Sequence, residues 1–141
     1  MSGKFFLDTN IFVYAFDETA PAKAKTAARL VRNAVDTGKG IVSYQVVQEF
    51  FNVAFRRFAR PMNGADAEQY LITVFRPLLA VHSSSALYVE ALRIEGKYHF
   101  AWYDSIIIAS ALEGQCEILY SEDFQHGRSV EGLRIENPFA K

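Results

Sequence analysis

The sequence predicts an α/β fold in three layers, with a central, mostly parallel sheet covered by helices on both faces. Short apolar segments alternate with longer segments of helical periodicity along the chain. Phe5-Phe6-Leu7 is apolar at every position, without the alternation of a half-exposed strand. Such strands are typical of a parallel sheet that is buried on both faces. Strands that alternate with helices at this spacing also favour parallel connections.

The predicted elements cover most of the chain. Strands are expected at residues 4–7, 40–42, 78–81, 117–120 and 133–135, and helices at 11–16, 21–36, 44–58, 66–75, 85–95 and 103–112. Pro21 suits the first turn of the second helix and Gly38 its end, and Ser43 is placed to cap the third helix. Since no linker, repeat or low-complexity stretch interrupts this pattern, residues 1–141 are predicted to form a single domain.

Composition narrows the class of protein. Half of the 141 residues are hydrophobic and 12 are Phe, which excludes a disordered or fibrous chain. The net charge of -1 argues against binding nucleic acid by overall positive charge. With a lone Cys116, no leader and no apolar run of spanning length, we expect a soluble, cytoplasmic protein without a membrane anchor. The three histidines lie far apart and do not favour a zinc site.

Four acidic residues occupy junctions between predicted elements. Asp8 follows the first strand, Glu49 lies in the second turn of the third helix, Asp104 opens the last helix, and Asp123 follows the strand that ends at Tyr120. Each has apolar neighbours in the sequence. Because the carboxyl ends of parallel strands open onto one edge of a sheet, these acids are predicted to meet in one pocket.

Two interpretations of each acid remain open at this point. An aspartate just before a helix is a favoured N-cap, so Asp8 could serve only the helix that follows it. In the alternative, the carboxylates form a group. Two carboxylates about 4 Å apart repel by roughly 4 kcal/mol at an effective dielectric constant of 20, so such a group takes up protons or attracts cations. Mg²⁺ or Mn²⁺ with oxygen ligands would supply the counter-charge and is suited to phosphodiester hydrolysis.

The motifs, in order, are LDTN with Asp8, QEF with Glu49, YDSIIIASA with Asp104 and SED with Asp123. Together they resemble the PIN-domain ribonucleases, and more narrowly the VapC-type toxins of bacterial toxin–antitoxin pairs and close PIN nucleases. The resemblance covers residues 5 to 139. It implies an endoribonuclease that hydrolyses RNA phosphodiester bonds with Mg²⁺ or Mn²⁺.

The resemblance also implies roles for individual residues. Asp8, Glu49, Asp104 and Asp123 match the acidic pocket that holds the metal, with Asp8 and Asp104 as the most direct ligands. Ser121 matches a hydroxyl residue two positions before the last acid that orients water or a carboxylate. Asn10 matches a polar residue that braces the first loop. Glu122 departs from the pattern by placing a second acid beside Asp123, and the Ser-x-Asp spacing favours Asp123 as the residue that faces the metal.

The same resemblance implies three binding partners. They are an RNA substrate, a cognate antitoxin bound along an apolar groove, and a second copy of the chain in a homodimer. The mixture of aromatic and arginine residues at 55–60 is typical of an RNA-contacting edge, and equally of a helix end. Phe50, Phe51, Tyr70 and Phe75 could line a partner groove, although most of them are expected in the core.

Two rival functions remain. One is a non-catalytic RNA-binding PIN scaffold, which would tolerate loss of the acids. The other is a phosphatase of the haloacid dehalogenase type, which also begins with an apolar strand and an aspartate. That class needs a second aspartate two positions later, where this chain has Asn10.

Overall fold

The computed structural model describes residues 2–140. Six strands are present in this part of the chain: β1 (Phe5–Leu7), β2 (Gly40–Ser43), β3 (Leu79–Val81), β4 (Ile118–Tyr120), β5 (Ser129–Val130) and β6 (Leu133–Glu136). The helices are α1 (Thr9–Tyr14), α2 (Pro21–Thr37), α3 (Tyr44–Arg56), α4 (Gly64–Tyr70), α5 (Arg76–Leu78), α6 (Ser85–Tyr98) and α7 (Trp102–Glu113), with a π-helical turn at Leu71–Phe75 between α4 and α5.

The strands form one sheet in the order β3-β2-β1-β4-β6-β5. All neighbours pair in parallel except β5 and β6, which are antiparallel. The predicted α/β class with a mostly parallel sheet is therefore confirmed. The chain moves outward from β1 to β3 and then returns to the other side of β1 with β4, so the carboxyl ends of β1 and β4 lie side by side.

Helices cover both faces of the central strands. Every residue of β1 and β2 is buried, although successive side chains point to opposite faces. The helix α2 approaches β2 so closely that a Cβ atom on Gly40 would lie 2.2 Å from the Ala34 Cβ and 2.9 Å from the Phe5 ring. Gly40 is thus required by packing, because α2 lies directly against the sheet at the start of the strand that leads into α3.

Several predicted boundaries need correction. The helix α1 begins at Thr9 rather than at residue 11, and α3 ends at Arg56 rather than at residue 58. Ser43 holds the N-cap position of α3, but its hydroxyl makes no capping hydrogen bond, contrary to the prediction. Pro21 and Gly38 begin and end α2 as expected, with Gly38 in the left-handed conformation that glycine favours.

The predicted strand at 133–135 is present as β6, but the sequence did not reveal β5 or the hairpin turn that joins the two strands. Its two turn residues, Glu131 and Gly132, both have positive φ, of 52° and 88°, which is the backbone of a tight two-residue hairpin turn. Glutamate is unusual at such a position, so the turn signal was weak. In the structure, the Glu131 carboxylate accepts hydrogen bonds from Arg93 and Tyr98 of α6, and these contacts hold the turn.

An aromatic cluster fills the core beside α1 and α3. Phe50 and Phe75 are fully buried, and their rings lie 5.2 Å apart, whereas Phe51 and Tyr70 are half-buried against them. The expectation that most of these residues belong to the core is confirmed for Phe50 and Phe75. Within residues 2–140, no helix is both long enough and apolar enough to cross a membrane.

Candidate active site

Asp8 lies at the carboxyl end of β1 and is only 4 % exposed. Its Oδ1 accepts a hydrogen bond of 2.8 Å from the Thr9 amide, and its Oδ2 accepts one of 2.7 Å from the Ser121 hydroxyl. The first bond makes Asp8 the N-cap of α1. Capping uses one oxygen only, so the two interpretations of Asp8 do not exclude each other.

Asp123 lies beside Asp8, in the loop after β4. The Ser121 Oγ that donates to Asp8 also accepts a hydrogen bond of 3.1 Å from the Asp123 amide, and the Asn10 side chain donates one of 3.0 Å to Asp123 Oδ1. Ser121 is fully buried. These bonds tie the loop after β4 to the start of α1, and they bring together four of the residues that the resemblance singled out: Asp8, Asn10, Ser121 and Asp123.

Glu122 points to different partners from those of its neighbour. Its carboxylate accepts a hydrogen bond of 2.7 Å from the Tyr14 hydroxyl and forms an ion pair with Lys23 at the same distance. The Lys23 ammonium lies 4.5 Å from the centre of the Tyr14 ring. Glu122 is therefore neutralised by a basic side chain from α2, and Asp123 is the member of the pair that lies with Asp8.

Glu49 comes from the second turn of α3, and Asp104 comes from the first turn of α7. Glu49 is exposed and Asp104 is half-buried. Desolvation raises the pKa of both carboxyls, and the charge of Asp123 raises them further. Asp104 adds to the rise in the pKa of Glu49, while hydrogen bonding from the Gln45 side chain, one turn earlier on α3, opposes it. Asp123 thus interacts electrostatically with each of the other three predicted acids, and Glu49 also interacts with Asp8 and Asp104.

Asp8 shows the strongest effect of this environment. Burial, with the charges of Asp123 and Glu49, raises the pKa of Asp8 to about 7, although hydrogen bonds from Ser121 and Thr9 act in the opposite direction. Among residues 2–140, none of the ion pairs includes Asp8, Glu49, Asp104 or Asp123. The group therefore carries unbalanced negative charge, which is the condition that favours a bound cation.

The acids are near one another without forming a finished coordination sphere. In the described part of the chain, no three His, Cys, Asp or Glu side chains lie close enough to hold a metal ion together. The chemistry of the donors still suits a hard divalent cation, because all of them are carboxylates and hard cations prefer oxygen ligands. The exposed position of Glu49 leaves that side chain room to move inward.

A cleft of about 810 Å³ opens beside this group. Its lining includes Asn10 and Glu49 from the acidic end, and Arg57, Phe58 and Arg60 from the segment after α3. Phe58 packs on Phe16 with ring centres 5.2 Å apart, as the helix-end interpretation of residues 55–60 expects. The two arginines line the cleft and are exposed, and their contact with RNA stays a prediction. The charged residues of the lining are Asp17, Glu18 and Glu49 together with Arg57 and Arg60, and Arg60 forms an ion pair with Glu18 at 3.3 Å.

The PIN domain family profile matches residues 5–129. This range spans nearly the whole fold and includes all four acids. The chain belongs to the PIN domain family. That membership removes the haloacid dehalogenase alternative, in agreement with the asparagine at position 10.

Solved structures of similar fold include a bacterial toxin–antitoxin complex, VapBC2 and a VapC toxin. A toxin–antitoxin complex from Klebsiella pneumoniae has a TM-score of 0.67 at 17 % identity, over 96 % of this chain and 98 % of that one. VapBC2 from Rickettsia felis, bound to a promoter DNA fragment, has a TM-score of 0.63 at 16 % identity, over 94 % of this chain and 97 % of that one. The sarcin-ricin loop cleaving toxin VapC20 from Mycobacterium tuberculosis has a TM-score of 0.62 at 22 % identity, over 85 % of this chain and 90 % of that one. No curated protein matches the sequence significantly.

Two features of this PIN domain site escaped the sequence. Lys23 and Tyr14, which hold Glu122, are separated from it by about a hundred residues, and no motif links them. Gln45 was missed as well, although its position one helical turn before Glu49 predicts a shared face. Its amide also donates to the Tyr103 carbonyl at 3.3 Å and so connects α3 to the start of α7.

Proposed function

We propose that this PIN domain is a metal-dependent endoribonuclease and the toxin of a toxin–antitoxin pair. The single observation that carries the proposal is the group formed by Asp8, Glu49, Asp104 and Asp123, whose negative charges no basic side chain balances in the described part of the chain. A structural cluster of this kind would cost free energy. A site that takes up a divalent cation recovers that cost on binding.

Asp8 and Asp104 are the proposed direct ligands of Mg²⁺ or Mn²⁺, with Glu49 and Asp123 completing the site. The bound cation would activate water and neutralise the leaving oxygen of an RNA phosphodiester. Ser121 holds the Asp8 carboxylate by its hydrogen bond, and Asn10 holds Asp123. Arg57, which lines the large cleft, would attract the RNA backbone, whereas Arg60 forms an ion pair with Glu18.

The substitution Asp104→Asn tests the catalytic proposal. The amide has nearly the shape of the carboxylate but lacks its charge, so we expect loss of RNA cleavage with a folded protein that is at least as stable in chelator. The measurement is cleavage of a panel of structured RNAs in Mg²⁺ and Mn²⁺, with thermal melts. Asp66→Asn, at an exposed carboxyl on α4, is the matched control. Full activity in Asp104→Asn would remove Asp104 from the site.

The same assay separates the nuclease from a non-catalytic RNA-binding scaffold. A scaffold would bind the RNA panel in gel-shift measurements and leave it intact in both metals. A nuclease would cleave at least one RNA at defined positions and lose that cleavage in chelator. Binding without cleavage at any metal concentration would overturn the enzymatic proposal.

The toxin role and the homodimer need separate measurements. The similar folds named above are a toxin–antitoxin complex, VapBC2 and a VapC toxin, and they support the proposal through similarity of fold alone. We expect induced expression to arrest growth and co-expression of a short neighbouring gene for a small DNA-binding protein to relieve the arrest. Light scattering should give twice the mass of 15.9 kDa. A strict monomer at high concentration would contradict the dimer.

A further inference from the structure

A second cleft has a volume of about 440 Å³ and shares no lining residue with the large one. Its lining residues come from the starts of α3 and α7 and from α6, and are Tyr44, Gln45, Gln48, Tyr88, Trp102, Tyr103 and Ile106. Four of them are aromatic and two are amides. None carries a charge at neutral pH, so the chemistry of the cleft favours an uncharged, planar group rather than a phosphate.

The aromatic side chains are exposed and already arranged for stacking. The rings of Tyr88 and Trp102 lie 6.4 Å apart and are inclined by only 28°. Tyr88 is 38 % exposed, Trp102 37 % and Tyr103 68 %. A hydrogen bond of 3.0 Å between the Tyr44 and Tyr88 hydroxyls holds Tyr88 in place. Large aromatic surface of this kind at the protein exterior marks a binding site more often than a structural need.

A buried polar atom at the base of the cleft lacks a partner. Gln45 is 5 % exposed, and its Nε2 donates to the Tyr103 carbonyl, whereas its Oε1 has no hydrogen-bond partner among the described residues. A buried acceptor without a donor is destabilising. The N–H groups on the edge of a nucleobase are donors of the kind that this oxygen needs, and Gln48 adds an exposed amide beside it.

Two residues that line the second cleft are close in the sequence to acids of the candidate active site. Tyr103 precedes Asp104, and Gln45 lies one helical turn before Glu49 on α3. A nucleotide whose phosphate lies at the acids would therefore extend its base toward these aromatic rings. We propose that this cleft binds one nucleobase of single-stranded RNA, next to the cleaved phosphate, by stacking on Tyr88 and Trp102 with a hydrogen bond to Gln45. The proposal deepens the proposed nuclease function and rests on it.

A nucleobase and a second protein chain would contact different parts of this surface. Val89 and Leu92 extend an apolar surface along α6 away from the cleft, with 65 % and 58 % exposure. A protein partner would bury these aliphatic side chains together with the rings. A nucleobase would contact the rings and the amide alone, so substitutions at Tyr88 and Leu92 give different results for the two occupants.

Trp102 provides a direct signal, because it is the single tryptophan of the chain. The experiment uses the Asp8→Asn protein in Mg²⁺, in which the RNA stays intact, and titrates it with a single-stranded hexa-adenylate while Trp102 fluorescence is recorded. An oligomer of the same length and phosphate charge, but without bases, is the control ligand. We expect saturable quenching by the first and at least tenfold weaker binding of the second.

Substitutions in the same background test the named contacts. Tyr88→Ala should weaken hexa-adenylate binding about 5- to 150-fold, the range for loss of one base–aromatic stack, while Tyr88→Phe should retain most of the affinity. Gln45→Leu, which keeps the side-chain volume, should weaken binding of the base-containing oligomer and leave the abasic one unchanged. Leu92→Ala, one turn along α6, is the matched control and should bind as tightly as the parent.

The outcomes separate this proposal from the nuclease proposal. Cleavage by the wild-type protein tests the nuclease, whereas base-dependent quenching tests the cleft. If the wild-type protein cleaves RNA but the abasic oligomer binds equally well, the base-binding proposal is overturned and the nuclease stands. Equal weakening by Leu92→Ala and Tyr88→Ala, together with a lowered mass in light scattering, would assign the surface to a protein partner instead and also overturn it.

Discussion

The Ser121 hydroxyl donates a hydrogen bond of 2.7 Å to Asp8 Oδ2 across the carboxyl ends of two neighbouring parallel strands. The two residues are 113 positions apart in the sequence. This bond is possible because β1 and β4 pair in register, with Leu7 opposite Tyr120. It holds a buried carboxylate in one orientation, and the Asp123 amide on the same hydroxyl extends the connection to a second acid.

Ser121→Ala should destabilise the protein more at pH 8 than at pH 5. At pH 8 the substitution leaves a buried, charged carboxylate with one fewer donor, for which we expect a loss of about 1–3 kcal/mol in the free energy of unfolding. At pH 5 the Asp8 carboxyl, with its pKa raised to about 7, is largely protonated, so the loss is smaller. Urea unfolding in chelator at both pH values measures the difference.

Ser110→Ala is the control for that prediction. Ser110 is also fully buried, but its hydroxyl donates to the Ile106 carbonyl within α7 and has no charged partner. Its loss should therefore cost the same at both pH values. If Ser121→Ala lowered the free energy of unfolding equally at both pH values, the hydrogen bond would not stabilise the charged form of Asp8 in preference to the protonated form.

Asp8→Asn should stabilise the metal-free protein at neutral pH. Desolvation raises the pKa of Asp8 from 3.8 to about 7, so the folded protein retains a proton that the unfolded chain loses. The contribution of Asp8 to the free energy of unfolding is complete below pH 4 and is lost as pH rises toward 7. The loss is about 1.4 kcal/mol per pH unit and roughly 4 kcal/mol in all. The asparagine can still cap α1.

The measurement is the difference in unfolding free energy between Asp8→Asn and wild type, from pH 4 to pH 8 in chelator. This difference should grow in favour of the variant as pH rises and level off above about pH 7. Asp66→Asn, at an exposed carboxyl, is the control. A difference that stays constant over this pH range would refute the raised pKa of Asp8.

Mg²⁺ or Mn²⁺ should raise the melting temperature of the wild-type protein. An ion that binds only the folded state stabilises it by about 2.7 kcal/mol at a concentration one hundred times the dissociation constant. Differential scanning calorimetry over a series of ion concentrations measures the shift, and Asp66→Asn should show it unchanged. Asp8→Asn and Asp104→Asn should lose most of it, because each removes a proposed ligand. No shift at millimolar ion would count strongly against a metal site.

Glu122→Gln and Asp123→Asn should separate the two adjacent acids. Glu122 pairs with Lys23, and both side chains are partly exposed, so the glutamine variant should lose less than about 1 kcal/mol and retain RNA cleavage. Asp123→Asn should lose cleavage, since Asp123 lies with Asp8 and Asn10. The measurement is the initial rate of RNA cleavage by each variant. Loss of cleavage in Glu122→Gln with activity retained in Asp123→Asn would place Glu122 at the metal.

The sequence by itself determined the order and type of the main elements and the acids that lie at their junctions. Apolar strands such as β1 carry their own signal, because every side chain must be buried, and Pro21 and Gly38 mark helix ends through local backbone preferences. The strand β6 was expected, but β5 and the hairpin turn escaped prediction. Glu131 adopts positive φ with support from Arg93 and Tyr98 on a distant helix, which no local pattern reveals.

The partners of the acids depend on contacts that form only in the folded chain. The sequence left Asp8 as either a helix cap or a member of the acidic group; the folded chain makes it both, because the two carboxylate oxygens have different donors. For the adjacent acids Glu122 and Asp123, the sequence favoured Asp123 by the Ser-x-Asp spacing alone. The fold directs Glu122 to Lys23 and Asp123 to Asn10, since neighbouring side chains in a loop point in different directions and partners distant in sequence determine what each one meets.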